Sequence, residues 1–68
     1  MEMEMVQKLI SEYQGKAAIC LQTIEKINSE LKKISKDSPD AEWLYAERKV
    51  ENGKYMAYIQ FVHDLKSI

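Results

Sequence analysis

KDSPDAEW, residues 36–43, concentrates the turn chemistry of the chain and decides how everything on either side of it folds. Pro39 disfavours helical backbone at Ser38. Ser38 followed by Pro39 is also a good N-cap followed by a proline at the first helical position. Asp40 and Glu42 then suit the positive end of a new helix dipole. One helix therefore ends near this stretch and a second begins within it.

Upstream, apolar or small residues recur as Met3, Val6, Ile10, Tyr13, Ala17, Cys20, Ile24, Ile27, Leu31 and Ile34, stepping alternately by three and four. This is a heptad seam without a phase slip. Between the seam positions lie mostly Glu, Lys, Gln and Ser, with Glu4/Lys8 and Glu12/Lys16 in the favourable i,i+4 order. The pattern predicts a first helix over about 3–36, continuous through Gly15, with Lys32, Lys33 and Lys36 near its negative end. A turn over about 37–39 and a second helix over about 40–67 complete a single domain, 1–68.

Trp43, Ala46, Val50, Gly53, Ala57, Phe61, Leu65 and Ile68 form a stripe at helical spacing on the second helix, with two successive steps of four after Ala57. A short connection makes the pair an antiparallel hairpin. Facing residues in a hairpin keep a constant sum of positions. The stripes then pair Ile34 with Trp43, Leu31 with Ala46, Ile27 with Val50, Ile24 with Gly53 and Cys20 with Ala57, and further along Ala17 with Phe61, Tyr13 with Leu65 and Ile10 with Ile68. On this pairing Gly53 is the small half of a layer and costs about 1 kcal/mol relative to alanine; small residues there let the helices approach closely or let bulky groups from another chain fill the gap. The rival is that Asn52-Gly53 breaks the second helix into two.

Two helices bury only one stripe each, and more apolar surface remains. Tyr55, Tyr58, Ile59 and Val62 lie beside the expected seam of the second helix, and Met5 and Leu9 lie off the seam of the first. These residues are the expected self-association or partner face. The fold class expected is therefore all-α, an antiparallel two-helix hairpin that dimerises into a four-helix bundle. In length and layout, two helices with a short bend and a heptad seam, the chain resembles the Rop repressor-of-primer family. That resemblance implies an alternative function as a helical-bundle binder of RNA or DNA. The best basic cluster for it is Lys32, Lys33, Lys36, Arg48 and Lys49, with Tyr45, Tyr55 and Tyr58 as stacking surfaces. Glu30, Asp37, Asp40, Glu42 and Glu47 lie among the same turns and offset much of its field.

Size and composition narrow the rest. A chain of 68 residues buries only about 60% of the surface of its unfolded form, so it needs oligomerisation or very regular helix packing where disulfides and metals are missing. Cys20 has no second cysteine to pair with, and one cysteine with one histidine, His63, does not make a structural zinc site. No Glu or Asp occupies the expected seam, and Gln60 stands where a Glu-x-x-His pair would need its carboxylate, so no di-metal centre is expected. His63 and Asp64 are adjacent and point about 100° apart on a helix, which precludes a dyad. A seam cysteine is expected to be a buried, inert thiol. The two glycines are too far apart for a phosphate loop. Catalytic, cofactor-binding and metal-binding residues are therefore all expected to be absent, and so is enzymatic activity.

The formal charge of −1, from 10 basic and 11 acidic residues, supplies no global attraction to nucleic acid or membrane. MEMEMVQKLI lacks the pattern of a signal peptide, no apolar run approaches a membrane span, and a lone cysteine suits a reducing compartment, so a cytoplasmic location is expected. Nine lysines against one arginine, with plentiful isoleucine, fit an AT-rich coding genome such as that of a low-GC bacterium or its phage. The function expected is that of a small, non-enzymatic, self-associating helical protein that binds a partner protein as adaptor, inhibitor or regulator.

Overall fold

A computed structural model describes the backbone of residues 2–68 and the side chains from Met3 onward; Met1 lies outside the described residues. Two helices, α1 (Glu2–Leu31) and α2 (Pro39–Lys66), run antiparallel and pack along their lengths in a rod of 53 × 14 × 12 Å. The all-helical hairpin expected from the heptads is thus the fold.

The bend is longer than the turn chemistry alone predicts. α1 ends at Leu31 and not near position 36, so Lys32, Lys33 and Lys36 follow the helix and do not lie within it. The Lys33 N–H turns back to the Glu30 carbonyl at 3.0 Å, an i→i−3 bond that tightens and closes the last turn. Ser35 then competes with helical bonding: its Oγ accepts from the Asp37 N–H at 3.4 Å and its carbonyl from the Ser38 N–H at 3.1 Å. Ile34, although past the helix, stays half-buried and fills the inside of the bend.

α2 starts as the sequence dictates. Ser38 has extended backbone (φ −75°, ψ 150°), and its Oγ accepts the Ala41 N–H at 3.1 Å, with Pro39 opening the helix and Asp40 and Glu42 in its first turn. His63 and Lys66 lie in its last turn, where the Lys66 ammonium favours the negative end of the helix dipole. The helix runs unbroken through Gly53, so the rival two-helix break does not occur.

On α1 the seam is the one its heptad specifies. Ala17, Cys20 and Ile27 are buried, Val6, Ile10, Tyr13, Ile24 and Leu31 half-buried, and only Met3 is left exposed. On α2 the seam differs from the expected stripe. Ala41, Leu44, Val62 and Leu65 are buried, with Arg48, Glu51, Tyr55 and Tyr58 half-buried between them. These eight positions step three and four alternately without a slip. Trp43, Ala46, Val50, Gly53, Ala57 and Phe61 are exposed, and a methyl built on Gly53 would meet nothing within 4 Å. The Ile24/Gly53 layer is therefore corrected: Gly53 faces open space, and so does Gly15.

The register moves with the seam. Tyr13, expected opposite Leu65, packs instead on Phe61 and Tyr58, with ring centroids 4.7 and 5.7 Å away. Arg48 reaches across to Asn28, its Nη1 donating to Oδ1 at 2.8 Å. The physical reason is phase. A strict three-four repeat on α1 stays in contact only with a strict repeat on α2, whereas the four-four step after Ala57 carries the other stripe around the helix.

Candidate functional site

One stripe of α2 is apolar and left exposed by the packing on α1. Trp43 is 63% exposed, Val50 57% and Phe61 40%, with the small residues Ala46, Gly53 and Ala57 at the intervening positions. At about 100° per residue its centre lies about 130° around the helix from the α1-facing seam. α2 is therefore apolar on two faces, of which α1 covers one.

Charged residues flank the stripe in a regular order. Glu47 and Lys54 border one side, Glu42 and Lys49 the other. Lys54 Nζ also lies 3.3 Å from Glu51 Oε2, and this hydrogen bond, followed by the carboxylate charge, holds the Lys54 ammonium above its ordinary pKa.

The residues of α2 expected on a free face lie in or beside its α1-facing seam. Tyr55 and Tyr58 are half-buried in the seam against α1 and Val62 is buried there, while Ile59 is 40% exposed. On α1, Met5 is exposed and Leu9 half-buried. Trp43, Val50 and Phe61 form the outer face instead. The signal that could have found them is the phase slip itself, since it marks the stripe that cannot follow α1.

Part of the basic cluster converges. Lys32, Lys36 and Arg48 line one open groove of about 530 Å³ near the bend, together with Asn28 and Tyr45. Arg48 is already engaged, bonded to Asn28 and stacked 5.0 Å from the Tyr45 ring centroid. Lys49 borders the adjoining groove with Ile24 and Asn52, and Lys33 lies on the other side of the bend with Glu30, Asp40 and Trp43. Three cations, Lys32, Lys36 and Arg48, thus share a surface, and Lys33 is separated from them.

Reactive groups remain isolated. Cys20 is buried, and burial first, then the nearby Glu51 carboxylate, pushes its thiol above the ordinary 9.0. A raised pKa leaves little thiolate near neutrality, the opposite of what a nucleophile needs. Glu51 occupies the seam, contrary to the expectation that no carboxylate would. Among the described residues, no group of three His, Cys, Asp or Glu could hold a metal ion. His63 Nδ1 and Asp64 Oδ1 are 3.9 Å apart on the open surface, and Asp64 Oδ1 accepts from Gln60 Nε2 at 3.0 Å. No helix among the described residues is long and apolar enough to cross a membrane.

No protein-family model matches this chain, and no match is found among curated proteins or solved structures.

Proposed function

We propose that this protein is a small, non-enzymatic helical interaction module, which self-associates and binds a partner protein as adaptor, inhibitor or regulator. The observation that carries this reading is the second apolar stripe of α2, Trp43 to Ala57, uncovered within the chain, with Phe61 partly exposed at its end. Exposed apolar surface arranged as one continuous stripe is an association surface, whereas scattered exposed residues are ordinary. Sedimentation of the protein from low to high micromolar concentration tests it. Self-association lost on Val50→Lys supports the reading, and a strict, well-folded monomer that also binds no protein partner removes it.

A second reading, nucleic-acid binding of the Rop-like kind, draws support from the convergence of Lys32, Lys36 and Arg48 beside the Tyr45 ring. Titration of labelled RNA and DNA against salt separates the two. Binding with a steep salt slope that weakens in Lys32→Ala and Lys36→Ala favours it, and no binding at low salt removes it.

A further inference from the structure

We infer that the outer stripe of α2 is covered by the same stripe of a second copy, running antiparallel, with the two-fold axis passing between Glu51 and Asn52. The inference rests on the self-association proposed above and specifies its interface. Three features of the stripe carry it.

The first is shape. About that axis Val50 faces the partner's Gly53, and Ala46 faces the partner's Ala57. Val50 is an exposed knob, and the space above Gly53 is open, with nothing within 4 Å of the missing methyl. Each copy supplies both the knob and the hole, as an isologous contact requires. At the ends, Trp43 meets the stretch that holds the partner's Gln60 and Phe61, so the largest residues sit where the small central layers leave the rim to be filled.

The second is charge. In the antiparallel arrangement Glu47 stands beside the partner's Lys54, a contact that occurs twice. Lys49 lies along the partner's Met56, where its aliphatic stem can pack. A parallel pairing of the same stripes would place Glu42 beside the partner's Glu47 and Lys49 beside the partner's Lys54. Both contacts are then like-charged. Flanking charges of this kind choose the orientation of paired helices, and here they select antiparallel.

The third is access. The stripe lies about 130° around α2 from the α1 seam, so α1 does not obstruct it. The two α2 helices meet at the centre and the α1 helices lie outside, a flatter arrangement than a square four-helix bundle.

Spin labels report this register. In a Cys20→Ala background, single labels at Lys49→Cys, Glu42→Cys and His63→Cys are followed by pulsed and continuous-wave electron spin resonance. With a rise of 1.5 Å per residue, the antiparallel dimer separates the two copies along the axis by about 8 Å at position 49, 28 Å at 42 and 34 Å at 63. A parallel dimer gives three short, similar distances. Sedimentation supplies the second arm: Val50→Lys weakens the dimer by about 100-fold or more, whereas Ile19→Lys, exposed on α1 away from the stripe, leaves it intact. Three similar distances, or a dimer that survives Val50→Lys, overturns this interface while self-association stands. A wild-type monomer throughout the micromolar range overturns both the interface and the self-association on which it rests.

Discussion

Tyr13 of α1 rests edge-on against Phe61 of α2, ring centroids 4.7 Å apart and planes at 67°, while the Tyr58 ring lies 5.7 Å away. This aromatic cluster joins the helices far from the bend, where the connection no longer holds them together. It also places Phe61 at the border of both faces of α2, touching α1 and still partly exposed. Lys16 Nζ lies 5.2 Å from the Tyr13 ring centroid and extends the cluster along α1.

Tyr13→Ala should therefore destabilise the hairpin by about 2 kcal/mol, the sum of lost apolar burial and lost aromatic contact for a half-buried ring. Urea unfolding followed by circular dichroism measures it. A change below about 0.5 kcal/mol would show that the cluster does not hold the open end.

The two faces of α2 predict opposite outcomes for the same substitution. Val62→Lys places an unpaired charge in the buried seam and should unfold the chain or cost more than about 3 kcal/mol. Val50→Lys, on the exposed stripe, should leave the helical spectrum of the monomer unchanged. If Val50→Lys unfolds the chain and Val62→Lys does not, the seam assignment is reversed.

Gly15 and Gly53 have helical backbone and open surroundings. Alanine should add up to about 1 kcal/mol at each, since it lowers the entropy lost on folding and meets no obstacle. Gly15→Ala is measured in the wild-type chain. Gly53→Ala is measured in the Val50→Lys background, where a second copy does not contribute. A loss of stability at Gly53 in that background would reveal a close approach within the hairpin.

Cys20 links stability to alkaline pH. Its thiol is pushed above the ordinary 9.0 by burial and by Glu51, so the folded chain holds this proton at pH values where the unfolded chain has released it. Its contribution is constant below about pH 9 and is lost as pH rises through the folded-state value. Chemical unfolding measured from neutral to strongly alkaline pH should show a smaller alkaline loss in Cys20→Ala than in wild type. Equal losses would remove Cys20 from the account. At neutral pH, alkylation of the native thiol should be far slower than that of the urea-unfolded chain.

Much of the hairpin is legible in local chemistry. The α1 seam follows from its unbroken three-four repeat, and the start of α2 follows from Ser38, Pro39, Asp40 and Glu42, each acting through its nearest backbone. The end of α1 was less legible, because Ile34 continues the apolar repeat while Ser35 bonds the bend and not the helix. The outer face of α2 was hidden for a different reason. Arg48 and Glu51 look like surface residues by composition, yet their long side chains border the seam, with Glu51 only 16% exposed at its side chain. Trp43 and Phe61 look like core residues, and their stripe is left outside.

The amino-acid sequence by itself determined two helices, their antiparallel reversal, the α1 seam and the cap that starts α2, because these depend on residue spacing and on groups a few positions apart. The tertiary structure alone decided which of the two apolar stripes of α2 meets α1. That choice depends on keeping phase with a second helix along the whole rod, a requirement no stretch of α2 expresses on its own. Once Leu44, Tyr58, Val62 and Leu65 turn inward, Trp43 and Val50 must face out, with Phe61 at the border between the two faces.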